Sequence, residues 1–580
     1  MLRYLRRSSV KEGATKVGRE AFGRFRSIFQ DLAETFGRFT ARREGTPRPS
    51  RPLGIAGRPQ YDLTLSTRIF LCSCGGLVLG LAFSRSEFSW IAWIALIPLM
   101  IATDGQSFRT TFGYAWVHGM CFFSATLYWL AITYHHYADR PFPDSVGRVI
   151  LLSSFEATFL ASSVTAGVLI ERRTRAPLVV TLPVAWVSGE YLRSLFPVEF
   201  PWGFLGDALY RDLKMIQIAE FTGVYGLSAL IVLANVAAFR LLFGRRSRTA
   251  RLTQAISGAI VVVAVLAFGN VRTNQLDHAS PVGVLKVGMV QGGLPQTFHF
   301  QRQSIATSFK VYKTATMELA RQRPDLIVWP ENAIGFVFQP NDIYPSNYEI
   351  EKSFRTQILD LARGLQEPIL FGAPSLYFQD GISMRNRAYL ISSQGQVDGY
   401  YDKIKLVPFS EYLPASAVLN SFMDTIVHRD IPYTAGVSKR MFEVGAARIG
   451  VLICYESLFP ELSRQYADNG ANVLINISND TWSGESSAPY EFLSADVFRA
   501  VENHLPVARV ANSGISAMIS TTGRIEGRTE LFKRTDEIET ASWTDAKTIY
   551  TRFGDLFAES CLVLTLLGIF SSVLVGSKFY

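Results

Sequence analysis

Val451-Leu452-Ile453-Cys454-Tyr455-Glu456-Ser457 is an apolar run that ends in a cysteine and turns at once polar and acidic. Passages from a buried strand into a short loop have this composition. They set a side chain at the carboxyl end of the strand, where open α/β sheets hold their sites. Cys454 is the only cysteine between Phe122 and Ser560, so it has no disulfide partner in that stretch. Taken alone, it reads equally as a small buried hydrophobe and as a nucleophile.

On either side of it, strand-like runs alternate with polar helical patterns over ~283–540. The runs are Leu285–Val290, Leu326–Trp329, Ile369–Gly372, Arg448–Cys454, Val473–Ile477, Val507–Ala511 and Ala517–Ser520, with helix patterns over 301–322 and 352–365. This alternation predicts an α/β domain. About 260 residues are enough to bury a full core.

The chain has 580 residues, 48% of them hydrophobic and 18% charged, and the apolar residues are concentrated outside that domain. Runs over about 68–84, 87–104, 110–134, 147–170, 177–195, 216–242, 254–271 and 556–576 each approach the ~20 residues that cross a bilayer core, predicting about eight membrane helices. Cys72, Cys74, Cys121 and Cys561 lie in these runs, so no disulfide framework is expected. The seven histidines have no ligand spacing, and no metal is expected.

Much of the net charge of +9 sits at the N-terminus and in two loops, Arg172-Arg173-Thr174-Arg175 and Arg245-Arg246-Ser247-Arg248. If every helix crosses once, all three basic segments fall on one side, which the positive-inside rule makes cytoplasmic. Residues ~275–550 then lie on the far side, and both termini inside. This distribution fits a membrane protein, and no nucleic-acid motif accompanies it. Residues 1–67 have no early apolar segment of the signal-peptide kind. Phe22, Phe25, Phe29, Leu32, Phe36 and Phe39 recur at helical spacing among arginines, so a basic amphipathic helix on an anionic leaflet and a solvated tail are both open.

Four strand ends in the α/β domain carry reactive groups. They are Trp329-Pro330-Glu331, Tyr401-Asp402-Lys403 continuing to Glu411, Cys454-Tyr455-Glu456, and Asn476-Ile477-Ser478-Asn479-Asp480-Thr481-Trp482. A glutamate or lysine at a strand end is, by itself, most often a solvated charge. Together with a thiol they form a chemistry. The carboxylate takes the thiol proton, and the ammonium favours the thiolate and faces the oxyanion of a tetrahedral intermediate. No cofactor is needed.

In this order, Trp-Pro-Glu331, Asp-Lys403 and Cys454-Tyr-Glu456 resemble the Glu-Lys-Cys enzymes of the nitrilase superfamily. The resemblance implies a four-layer α-β-β-α sandwich. With the membrane runs, Phe200-Pro201-Trp202-Gly203, Gly223-Val224-Tyr225-Gly226, Leu406-Val407-Pro408-Phe409 and Ala511-Asn512-Ser513-Gly514-Ile515-Ser516, the chain from ~68 to 576 resembles the membrane-embedded apolipoprotein N-acyltransferase family. That resemblance implies acyl transfer at the outer face of a bacterial inner membrane. The implied donor is a phospholipid, commonly phosphatidylethanolamine, and the implied acceptor is the α-amine of a diacylglyceryl-cysteine lipoprotein, with a monomer acting. Cys454 is the implied nucleophile, Glu331 the general base and Lys403 the oxyanion stabiliser. Glu411 is implied as a supporting acid, with Tyr455 and Glu456 shaping the site. Lys403 is preferred to Lys405 because it follows the Tyr-Asp pair.

Phe300 stands where the family often has Trp, and Glu491-Phe492 where relatives often read Gln-His. Both substrates are lipids, so the site must open toward the bilayer. Phe336 and Phe338 beside Glu331, and the segment from Phe409 to Met423, are apolar enough to gate it and contact lipid. A membrane-anchored amidase that uses water in place of the amine would employ the same three groups. An inactive scaffold or transporter would not need them.

Overall fold

The computed structural model describes residues 63–84, 86–137, 140–195, 199–244, 247–295, 302–339, 349–378, 382–408, 410–412 and 433–577. The expected N-terminal amphipathic helix lies outside them.

Among the described residues, five helices are long and apolar enough to cross a membrane. They are α1 (Leu65–Ser84), α4 (Phe142–Thr174), α6 (Val224–Phe243), α7 (Arg248–Asp277) and α12 (Leu556–Ser577). The pair α2 (Phe108–Thr126) and α3 (Trp129–Tyr137), bent by 54°, makes a sixth if counted as one span. This is fewer than the eight expected, and two segments account for the difference. Residues 87–104 form a 3-10 stretch, Ser86–Trp93, and then only the seven-residue helix Ile97–Thr103. The segment 177–195 is the helix α5 (Leu178–Leu195), which carries Pro183 inside it and buries Glu190 and Arg193.

Small residues let these helices approach closely. A side chain on Gly76 of α1 would strike the His118 carbonyl of α2, and one on Gly189 of α5 would strike Ser163 of α4. The expected helix over 216–242 is broken. Gly223 takes φ +60° and faces the ring of Tyr550, so α6 begins only at Val224.

The α/β domain holds two six-stranded sheets, ordered β12-β1-β2-β3-β4-β5 and β11-β10-β9-β8-β7-β6. The first contains β1 (Gly283–Gln291), β2 (Leu326–Val328), β3 (Ile369–Tyr377), β4 (Ser383–Ile391), β5 (Val397–Asp402) and β12 (Thr535–Trp543). The second contains β6 (Met441–Val444), β7 (Ala447–Ile453), β8 (Val473–Ser478), β9 (Val507–Ala511), β10 (Ala517–Ile519) and β11 (Ile525–Glu526). The central strands β1-β2-β3 and β7-β8-β9 run parallel, and antiparallel strands flank them.

Helices α8 (Arg302–Leu319) and α9 (Glu349–Leu365) pair with each other beside the first sheet, with α8 against β1 and β12. Helices α10 (Pro460–Asp468) and α11 (Ala488–Asn503) cover the second, against β7 and β9, and β1 meets β7 and β9 between the sheets. These are the four layers the resemblance implied. The parallel strands are buried on both faces, which is why β7 and β8 read as unbroken apolar runs.

Candidate active site

The carboxyl ends of β2, β5, β7 and β8 converge, and each delivers one of the polar groups singled out above. β2 is followed directly by Trp329, which is fully buried. Its ring stacks on Tyr312 at 5.4 Å and its indole N–H donates to Thr316 Oγ1 at 2.8 Å. That anchor fixes the direction in which Pro330 and Glu331 leave the sheet. Gly372 of β3 closes the other side, its N–H donating to the Pro330 carbonyl at 3.1 Å.

Cys454 follows β7 directly with φ +53°, a left-handed conformation for a non-glycine residue. Such backbone costs on the order of 1–3 kcal/mol and persists only where its surroundings hold it. It turns the side chain sharply out of the strand, as nucleophile elbows do. Cys454 is only 3% exposed. Burial pushes its thiol pKa up, the Glu331 charge adds to this, and Lys403 opposes it. The resting group is a thiol, so attack requires a base.

Lys403, 2% exposed, stands between two carboxylates. Its Nζ lies 3.3 Å from Glu331 Oε1 and 3.1 Å from Glu411 Oε1. Burial disfavours the ammonium, but Glu411 and Glu331 outweigh it and hold the lysine pKa well above its ordinary value. Burial likewise works against the Glu411 carboxylate, and Lys403 with the Val407 N–H, 2.8 Å away, draws its pKa below the usual range.

Asn386, in the middle of β4, ties the two acids together. Its Nδ2 donates to Glu331 Oε1 at 2.6 Å and to Glu411 Oε1 at 3.1 Å. The second Glu331 oxygen accepts the Asn479 N–H at 3.1 Å. Glu331 is therefore held as an acceptor at both oxygens, with an ammonium on one.

Glu456 faces away from this cluster. Oε1 accepts Tyr401 Oη–H at 2.8 Å, Ile404 N–H at 2.7 Å and Lys405 N–H at 3.1 Å, while Oε2 accepts Ile453 N–H at 2.8 Å. It joins the turn after Cys454 to the turn after Lys403, and burial raises its pKa to about 7. Tyr455 donates its hydroxyl to the Glu199 carbonyl at 3.1 Å, and Lys405, about a third exposed, pairs with the Glu199 carboxylate at 2.5 Å. Lys405 is thus turned toward a loop of the membrane part, and Lys403 alone of the two reaches Glu331.

The aromatic expectations fare differently. Phe336 and Phe338 are buried in the core of the first sheet, Phe336 against Phe354 and Phe338 against Phe371 and Tyr389. They pack the fold there. Phe300 and Phe409 lie outside the described residues. Asn386 was missed by sequence reasoning. A lone asparagine within a strand carries no signal until its neighbours across the fold are known.

Comparison with known proteins falls into two parts that match this architecture. Residues 75–237 match the apolipoprotein N-acyltransferase N-terminal domain, and residues 286–546 match the carbon-nitrogen hydrolase domain. Apolipoprotein N-acyltransferase of Geobacter metallireducens is 36% identical over 515 residues, covering 87% of this chain and 95% of the relative. This chain belongs to the apolipoprotein N-acyltransferase family. A second relative carrying that name, from Allorhizobium ampelinum, is 30% identical over 82% of this chain and 90% of its own length. An amidase structure from Nesterenkonia sp. aligns with 48% of this chain and 95% of its own, at 18% identity and a TM-score of 0.33. Family membership gives the two-part architecture its meaning: a carbon-nitrogen hydrolase domain carried by a helical membrane domain.

Proposed function

We propose that this chain transfers an acyl chain from a phospholipid, phosphatidylethanolamine being the favoured donor, to the N-terminal amine of a diacylglyceryl-cysteine lipoprotein. The observation that carries the reading is the Lys403 ammonium held between Glu331 and Glu411 beside the buried Cys454 thiol. In the first half-reaction Glu331 takes the thiol proton and the sulfur attacks the ester carbonyl of the lipid. Lys403 faces the resulting oxyanion. The intermediate collapses, the proton returns from Glu331 to the departing alkoxide, and lysophospholipid leaves a thioester on Cys454. In the second, the acceptor amine gives its proton to Glu331 as its nitrogen attacks the thioester carbon. The amide forms, and the thiolate recovers the proton.

Glu411 keeps Lys403 charged and in place, and Glu456 and Tyr455 fix the turn that carries the sulfur. The buried sulfur favours aminolysis over hydrolysis, because water at the thioester would divert the acyl group. A membrane-anchored amidase would use the same groups, but the family relatives and the lipid-embedded helices favour the transferase.

In the proposed topology all eight apolar segments cross, including 87–104 and 177–195. Residues 1–67 form a basic cytoplasmic extension, 68–274 the membrane domain, 275–550 a periplasmic domain and 551–580 the last helix and cytoplasmic tail, with the protein acting as a monomer in the inner membrane. The test is N-acylation of a synthetic diacylated lipopeptide by the purified protein with phosphatidylethanolamine. Wild type should convert it and Cys454→Ser should not. Equal conversion by both would overturn the assignment of Cys454.

A further inference from the structure

Three buried polar residues on three elements form a chain of hydrogen bonds that ends at the backbone of Cys454. β8 is apolar except for its last residue, Ser478, and for Asn476, which is fully buried beside Leu452 in the parallel register. A buried amide is costly unless its hydrogen bonds are made, and those of Asn476 are made to particular partners. Its Oδ1 accepts the Cys454 N–H at 3.1 Å. Its Nδ2 donates to both oxygens of Asp496, in the middle of α11, at 2.9 Å each. Asp496 in turn accepts Arg509 Nη1, from β9, at 2.8 Å.

Arg509 is fully buried and has a second arm. Its Nη2 lies 2.7 Å from Asp480 Oδ2, Asp480 Oδ1 accepts the Ser478 hydroxyl at 2.5 Å, and its Nε donates to the Ile515 carbonyl at 3.1 Å. The guanidinium therefore fixes both aspartates at once. A carboxylate only accepts, so Asp496 compels Asn476 to turn its Nδ2 outward and its carbonyl oxygen to the Cys454 N–H. Asn476 Oδ1 is what holds that N–H in the left-handed turn at Cys454.

We propose that Asn476 is a positioning residue for the nucleophile. Its amide, oriented by Asp496 and Arg509, holds the Cys454 backbone in the turn that aims the sulfur. The inference rests on Cys454 as the attacking group. It adds a device that neither Glu331 nor Lys403 provides.

A pairwise swap tests it. Asn476→Asp sets a second carboxylate against Asp496, which breaks the orientation. Asp496→Asn added to it restores the chain from Arg509 to the Cys454 N–H, because the new amide donates to the carboxylate at 476 and accepts from Arg509. With full-length protein in lipid nanodiscs and isotope-labelled phosphatidylethanolamine, Asn476→Asp should slow acyl-adduct formation at saturating lipid by at least about tenfold, as small displacements of reacting groups do. The apparent KM should stay near wild type, and the double variant should recover to within about threefold of wild type. If Asn476→Asp fails to fold, Asn476→Ala serves in its place and should show the same loss.

Alkylation of Cys454 by iodoacetamide, read by peptide mass, should rank the variants in the same order whatever the acyl donor. A double variant as slow as Asn476→Asp, or alkylation unchanged across the set, overturns the positioning role. Lipopeptide transfer surviving in Cys454→Ser overturns the underlying nucleophile assignment instead.

Discussion

Lys403 is the residue on which the charges of the site balance. Two carboxylates flank it, and both pKa directions follow from that. Lys403→Ala removes the oxyanion contact and leaves Glu331 and Glu411 facing each other in a buried space, so acyl transfer should fall by on the order of 10²–10³. Turnover of a diacylated lipopeptide measures it, and a near-wild-type rate would shift the role to Lys405. Glu456 gives a pH prediction. Its folded pKa is raised to about 7, as are those of Glu491 and Glu502, all by burial. A raised carboxyl pKa means stability that is full below the ordinary value and lost as pH rises through about 7. Thermal unfolding in detergent should therefore show a lower Tm at about pH 8 than at about pH 5, and Glu456→Gln should shrink that difference. An unchanged difference would show that Glu456 does not contribute to it. Glu331 and Cys454 stood out in the sequence because each follows an apolar run, and Lys403 because of its place in the order of motifs that carries the family resemblance. Asn386 and the orientation of Asn476 were not, since each acquires meaning only from side chains on distant strands.

At the scale of elements, the site depends on how closely β3 approaches the turn after β2. A Cβ on Gly372 would come within 2.7 Å of the Glu331 Cα and 2.8 Å of the Asn332 N. Gly372→Ala should displace the base, lowering acyl-adduct formation strongly while leaving Cys454 open to alkylation; an unaffected rate would mean the turn yields without moving Glu331. The membrane helices also reach this layer. Thr133 of α3 donates to the Trp482 carbonyl at 3.1 Å, a few residues beyond the Asn479 N–H that holds Glu331. Glu502 of α11 accepts the Val224 N–H at 3.1 Å, satisfying the first turn of α6. The buried parallel strands were readable as apolar runs. The flanking β4, β5, β6, β11 and β12 were not, because they are short or mix in polar residues, as Arg385-Asn386-Arg387 does in β4 and Val397-Asp398-Gly399-Tyr400 in β5.

For the whole molecule, hydropathy located the membrane part, and among the described residues two of its eight apolar segments fall short of the long apolar helix expected. Apolar length alone cannot distinguish a straight crossing from the 3-10 stretch at Ser86–Trp93 or from a helix whose Glu190 and Arg193 are buried inside the bundle. The proposed orientation has a direct consequence. A cysteine introduced at Thr174, in the basic segment at the carboxyl end of α4, should react with a membrane-impermeant maleimide only after the cytoplasmic side is opened. One introduced at Arg524, exposed on the α/β domain, should react in cells permeabilised only at the outer membrane. The reverse pattern would invert the topology and remove the domain from its proposed compartment.

The central claim is that Cys454 carries the acyl group between two lipids, and trapping that state tests it most directly. Wild-type protein incubated with isotope-labelled phosphatidylethanolamine and no acceptor should gain one labelled acyl mass on the Cys454 peptide, and adding diacylated lipopeptide should discharge it onto the peptide amine. Transfer to the lipopeptide with no adduct on Cys454 at any time, or an adduct that the amine never discharges, would contradict the account.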